Sequence, residues 1–77
     1  MTVEEKIKAI ILEIVDVDEK AILPNAHLRK DQGASSVDLV EILAAVENEF
    51  DLRIPDEDAP GLLTPRALCA YVTAKAA

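Results

Sequence analysis

The chain has 77 residues, of which 51% are hydrophobic and 3% are aromatic, and its formal net charge is −7. A chain this short supports one small core, so we expect residues 1–77 to form a single domain. The aliphatic composition favours packed helices over a β-sandwich or barrel, and its apolar share argues against intrinsic disorder. The single cysteine, Cys69, excludes an internal disulfide and a thiolate metal cluster.

The negative charge is concentrated in the middle of the chain. Residues 31–58 hold nine acids against one base, Arg53, for a charge of −8, whereas the rest of the chain sums to +1. Such a surface repels nucleic acid and anionic membranes and attracts basic protein partners, although it could also serve only to keep the protein soluble. No apolar run approaches membrane-spanning length, and the N-terminus has no signal-peptide core. We therefore expect a soluble, cytoplasmic monomer without membrane insertion.

The first predicted helix begins near Thr2 and ends near Asp16. Thr2 and Glu5 have the spacing of a capping box, in which each side chain bonds a backbone amide of the other residue. Apolar residues then recur at three- and four-residue steps, which places them on one face: Val3, Ile7, Ile10, Ile11 and Ile14.

A long loop is predicted over residues 17–35, where no period is sustained and Pro24, Asn25 and Gly33 occur. Loops of this length in small domains tend to be functional or to contain a short helical turn. Three apolar side chains are expected to hold the loop on the core: Ile22, Leu23 and Leu28.

Three further helices complete the predicted fold. One runs from Ser36 to Phe50, a short one occupies residues 56–61, and the last begins at Thr64-Pro65, where proline suits the first turn. The second helix has a predicted core stripe of Leu39, Leu43, Val46 and Phe50, and the last helix buries Leu68, Tyr71 and Val72. The prediction is an all-α, small four-helix bundle with three longer helices and one short one.

Two serines lie where the long loop turns into the second helix. Ser35 and Asp38 have capping-box spacing, so the Ser35 hydroxyl is expected to bond a backbone amide. Ser36 then takes the first helical position with its hydroxyl free and pointing outward. A phosphodiester on Ser36 would lie against the helix's unpaired N–H groups and positive dipole end. Ser36 is therefore the favoured site of modification, although a plain capping pair is the common alternative.

A second stripe on this helix carries Val37, Val40 and Ala44, flanked by Asp38, Glu41 and Glu47. A small apolar strip rimmed by acids is typical of a docking surface, where the apolar centre is buried and the acids orient basic partners. The alternative is that the helix is buried on a wide face.

Gly33-Ala34-Ser35-Ser36-Val37-Asp38, the acidic helix after it and Phe50-Asp51-Leu52-Arg53-Ile54-Pro55-Asp56-Glu57-Asp58-Ala59 resemble the central half of a bacterial type II acyl carrier protein. The resemblance implies that Ser36 carries 4′-phosphopantetheine donated by coenzyme A, and that acyl groups are held on it as thioesters for fatty-acid or related biosynthesis. It implies a phosphopantetheinyl transferase and basic-surfaced acyl-transferring or synthase enzymes as partners. The partner face would comprise Val37, Asp38, Val40, Glu41, Ala44 and Glu47.

Two positions depart from the family pattern. Ser35 stands where the family usually has aspartate, and Val37 stands where it usually has leucine. Ser35 is thereby a second, less favoured attachment site, and the departure hints at a specialised polyketide or aminoacyl carrier with its own loading enzyme. An acidic helical adaptor that is never modified remains the alternative of another class.

Other chemical features are weaker. Asp56 to Gly61 begins like a calcium loop, but Ala67 occupies the position that needs a bidentate glutamate, so no metal site is predicted. His27 is expected to be structural or solvent-facing, and Cys69 to be a small core residue with nothing near it to lower its pKa. Since no base–nucleophile pair is present, we expect a carrier and not an enzyme.

Overall fold

The structure is a computed structural model that describes residues 2–76. Within that range lie three α-helices, α1 (Val3–Ile14), α2 (Ser36–Phe50) and α3 (Pro65–Ala76), with 3₁₀ helices at Glu19–Ala21 and Asp56–Gly61. The predicted all-α bundle of three longer helices and one short one is confirmed, and the Glu19–Ala21 turn is the helical turn expected in the long loop. No helix of the described residues is long and apolar enough to cross a membrane.

Helix α1 begins with the predicted capping box. The Thr2 side chain accepts a hydrogen bond from the Glu5 amide, and the Glu5 carboxylate accepts one from the Thr2 amide, each at 3.1 Å. Its apolar face packs against both α2 and α3. Ile7 and Ile11 lie at the centre of this face and are fully buried, so α1 supplies the middle of the core.

Helix α2 has the predicted bounds, but its buried stripe differs from the prediction. Val46 is fully buried as expected, whereas the other fully buried side chain is Ile42, which was not in the predicted stripe. Ile42 and Val46 lie four residues apart, on one face of α2, and define its buried line. The remaining predicted residues lie beside that line and are only half-buried: Leu39, Leu43 and Phe50.

The long loop is held on the core by two of the three predicted side chains. Ile22 and Leu28 are buried, but Leu23 is 60% exposed, so its predicted anchoring role is wrong. Leu23 contributes through its backbone instead, since its carbonyl accepts the Ala26 amide at 3.0 Å. At this point of the loop Ile22 takes the inward position and Leu23 faces outward.

Helix α3 closes the core and is tied to the second 3₁₀ helix. Leu68 and Val72 are buried as predicted. Tyr71 is only half-buried, because its hydroxyl reaches the surface and donates a 2.7 Å hydrogen bond to Asp58. That hydrogen bond, with partial burial, raises the pKa of Tyr71 to about 12. The phenol therefore stays protonated at physiological pH and links α3 to Asp56–Gly61.

Candidate functional site

The start of α2 has the capping arrangement expected from the Ser35–Asp38 spacing. The Ser35 hydroxyl accepts the Asp38 amide at 3.1 Å, and the Asp38 carboxylate accepts the Ser35 amide at 3.0 Å. The Ser35 side chain thus caps the N-terminus of α2. Its hydroxyl has a structural partner within its own motif.

Ser36 is the first residue of α2 and is exposed, as predicted. The prediction that its hydroxyl is free is wrong, because Ser36 Oγ accepts a hydrogen bond from Nη1 of Arg29 at 3.1 Å. Arg29 lies seven residues earlier in the long loop and was not among the predicted site residues. The site therefore consists of an exposed hydroxyl at a helix start with a guanidinium beside it.

A tight turn presents Arg29 to this site. His27 Nδ1 accepts the amides of Arg29 and Lys30 at 3.2 and 3.1 Å, and the Arg29 carbonyl accepts the Gly33 amide at 3.2 Å. Gly33 has φ +72, a conformation that glycine adopts without strain, and it redirects the chain toward α2. His27 is therefore structural, as expected: its ring organises the turn that carries Arg29.

The same turn is fixed to the core of the protein. Leu28 is fully buried and Ala34 nearly so, and the Ala34 amide donates to the Leu28 carbonyl at 2.9 Å. The Leu28 amide in turn donates to the Leu63 carbonyl at 2.8 Å, just before α3. The backbone on either side of Arg29 is thus anchored, although the Arg29 side chain itself is exposed.

The predicted apolar strip of α2 is exposed. Val37 and Val40 are 65% and 66% exposed, and Ala44 is also exposed. The alternative that α2 is buried on a wide face is therefore wrong. Large aliphatic side chains left open on a helix, next to acids, make a surface suited to burial against another molecule.

The three acids beside the strip differ in their surroundings. Glu41 is exposed, whereas Asp38 and Glu47 are half-buried and bond backbone groups. Asp38 completes the capping box, and Glu47 accepts the Ile54 amide at 2.8 Å. Glu41 is thus the predicted acid whose carboxylate is most open to a basic partner, and the other two also stabilise the fold.

The site fits an anionic group attached to Ser36 Oγ. The first amides of a helix have no carbonyl partner within the helix, and the positive dipole end favours negative charge there. The guanidinium of Arg29 is hydrogen-bonded to Ser36 Oγ and adds a positive charge with several N–H donors. These features suit a phosphate ester better than an uncharged modification.

Cys69 lies away from this site. It is half-buried and lines a cleft of about 290 Å³ with Pro24, Pro65 and Arg66. Burial, with a smaller effect of the Glu4 charge, raises the pKa of the Cys69 thiol. The thiol therefore stays protonated at neutral pH and is a poor nucleophile. Residues 2–76 hold no group of three or more His, Cys, Asp or Glu side chains arranged for a metal ion.

A comparison with known protein families identifies the domain type of most of the chain. The family model for the phosphopantetheine attachment site matches residues 5–72, well over half of the chain. The matched segment includes the turn that carries Arg29, both serines and the whole of α2.

Proposed function

The chain belongs to the phosphopantetheine attachment-site family, and from that premise we propose that it is an acyl carrier protein whose arm is attached to Ser36. Domains of this family are the site of covalent 4′-phosphopantetheine attachment. The observation that supports Ser36 over Ser35 is the difference between their hydroxyls. Ser35 Oγ accepts a backbone amide within the capping box, whereas Ser36 Oγ takes no part in the cap and accepts the exposed Arg29 side chain at the first helical position.

Attachment forms one phosphoester bond. Ser36 Oγ bonds to the phosphorus that carries pantetheine in coenzyme A, the pyrophosphate bond breaks, and adenosine 3′,5′-bisphosphate leaves. A base of the transferase takes the hydroxyl proton, because the neighbouring Arg29 guanidinium is a donor with no capacity to accept it. When bound, the arm supplies the thiol that holds acyl groups as thioesters.

The proposed role of this chain is to carry and present, and the chemistry is left to its partners. Carrier domains work with a phosphopantetheinyl transferase and with acyl-handling enzymes. We assign the partner face to α2, where burial of Val37, Val40 and Ala44 would supply apolar contact area. Glu41, with Asp38 and Glu47 beside it, would orient a basic surface and raise the association rate.

The cargo belongs to fatty-acid biosynthesis or to a related pathway. One observation favours a specialised polyketide or aminoacyl carrier as the second candidate: Ser35 stands directly before Ser36, where the family usually has aspartate. Incubation of the holo form with acyl-, malonyl- and aminoacyl-loading enzymes, read by intact mass, shows which groups it accepts, and loading of an aminoacyl group alone would favour the second candidate.

The test of the attachment site is intact mass after incubation with coenzyme A and a broad-specificity phosphopantetheinyl transferase. We expect wild type and Ser35→Ala each to gain one phosphopantetheine and Ser36→Ala to gain none. If no form gains mass, the carrier proposal is wrong and the unmodified adaptor takes its place. An adaptor would keep its binding partners when Ser36 is changed to Ala.

A further inference from the structure

Arg29 is the basic side chain in direct contact with the attachment oxygen, through Nη1 at 3.1 Å from Ser36 Oγ. We propose that Arg29 is a positioning residue that binds the phosphate ester on Ser36 and holds the base of the arm on the side of the 27–33 turn. The proposal rests on Ser36 being the attachment site. It assigns a role to a loop residue that neither the serine motif nor α2 contains.

The contact should strengthen on modification. Before modification, the guanidinium meets a neutral hydroxyl, and both side chains are exposed. After modification, the non-bridging phosphate oxygens lie two bonds from Oγ, within reach of the N–H groups of the guanidinium. Arginine matches a phosphate with two parallel N–H donors, and charge-assisted hydrogen bonds of this kind are stronger than bonds to a neutral acceptor.

The backbone of Arg29 is already ordered before Ser36 is modified. Its amide and its carbonyl are both hydrogen-bonded, to His27 Nδ1 and to the Gly33 amide, and Leu28 beside it is fully buried. Little backbone ordering is therefore left to oppose the contact. Pre-organised donors of this kind bind more tightly than donors on a mobile segment.

The contact between Arg29 and Ser36 also acts on the electrostatic repulsion around Ser36. The phosphodiester is an anion at the start of a helix whose first two turns carry Asp38 and Glu41. The guanidinium of Arg29 is hydrogen-bonded to the oxygen that would carry the phosphodiester, so its positive charge offsets this repulsion. The base of the arm is thereby held beside the turn that carries Arg29.

The test uses protein with phosphoserine installed at position 36, so that it needs no transferase. Phosphorus NMR gives the second pKa of the phosphate, which an adjacent guanidinium lowers. We expect Arg29→Gln to raise this pKa by about half a pH unit, Arg29→Lys to recover part of the shift, and the control Lys30→Gln to move it less. Equal shifts for Arg29→Gln and Lys30→Gln, or no shift for either, would overturn the proposal.

A second measurement observes the arm itself. In holo protein whose mass gain has been confirmed, Arg29→Gln should move the phosphodiester resonance toward its position in urea-unfolded holo protein, whereas Lys30→Gln should leave it near the wild-type position. If the transferase modifies no form, the attachment proposal fails, and the phosphoserine titration still decides whether Arg29 binds a phosphate on Ser36.

Discussion

Helices α1 and α2 begin with the same capping arrangement and differ in their first helical residue. Thr2 with Glu5, and Ser35 with Asp38, each form a reciprocal capping box with hydrogen bonds of 3.0 to 3.1 Å. The first helical residue of α1 is Val3, which packs against the core. The first helical residue of α2 is Ser36, which is exposed.

The difference shows that the cap is structural in both helices and that the candidate site is built beside it. The long loop before α2 contains a turn at residues 27–33, which brings the Arg29 guanidinium within hydrogen-bond distance of the exposed Ser36 hydroxyl. We propose that the exposed first residue of α2 and the loop turn beside it together make this helix start an attachment site.

The largest expected effect comes from moving the serine to the other helix start. In the double variant Val3→Ser with Ser36→Ala, a serine follows the N-cap residue of α1, and the first helical position of α2 holds alanine, with Ser35 retained in its cap. We expect complete loss of phosphopantetheine transfer, measured by intact mass, because the serine at α1 lacks the proposed partner face of α2 and the turn that carries Arg29. Circular dichroism is the control for folding. Modification of the serine at position 3 would show that a capped serine alone is sufficient.

The next largest effect concerns the exposed acids of the two helices. Glu41 on α2 and Glu13 on α1 are both exposed, so reversal to lysine changes the net charge equally. We expect Glu41→Lys to lower kcat/KM for phosphopantetheine transfer about tenfold at low salt, because acids beside the strip steer basic partners, and Glu13→Lys to lower it little. Added salt should shrink the difference. Equal losses of kcat/KM for the two variants would show that the partner face does not lie on α2.

A smaller effect is expected from the caps themselves. Thr2→Ala and Ser35→Ala each remove a side-chain acceptor from a helix start, and each should lower the free energy of unfolding by about 1 kcal/mol. Ser36→Ala removes an exposed hydroxyl and its surface hydrogen bond from Arg29, and it should change stability by less than about 0.5 kcal/mol. Urea unfolding of the three variants gives these values. A loss for Ser36→Ala as large as that for Ser35→Ala would make Ser36 part of the cap.

The smallest effect is a pH dependence of the α1 cap. The Thr2 backbone amide, and then its side chain, lower the pKa of Glu5 below its usual 4.5. A carboxyl group with a lowered pKa in the folded state adds stability above its unfolded pKa, and this stability is lost as pH falls through the folded value. Glu5→Gln should therefore be less stable than wild type at pH 7 and converge with it in acid. A gap that persists unchanged in acid would contradict this.

The helices were predictable because their signals are local. Capping spacing and apolar periodicity placed both ends of α2, and the Thr64-Pro65 start of α3 was indicated by proline chemistry. The exact buried line of α2 was not predictable in the same way. Whether Ile42 or Leu39 is fully buried depends on the angle at which α2 meets α1, which the sequence of α2 alone does not specify.

The serine half of the candidate site was predictable, but Arg29 was not. The position of Ser36 is set by the cap that precedes it, whereas the Arg29 contact depends on the path of the loop around His27 and Gly33. His27 was expected to be structural or solvent-facing, but the two backbone amides that its ring accepts are evident only from the conformation of the turn. Leu23 was misassigned because composition does not show which side of an irregular segment faces the core.

The most direct test of Ser36 as the attachment site uses the unsubstituted holo protein. Trypsin cuts after Lys30 and Arg53, so residues 31–53 form one peptide that contains both serines. Fragmentation between Ser35 and Ser36 in tandem mass spectrometry assigns the phosphopantetheine to one of them. We expect the full added mass on fragments that contain Ser36 and none on fragments that end at Ser35. Added mass on Ser35 would contradict it, because the hydroxyl assigned to the cap would then be the one that carries the arm.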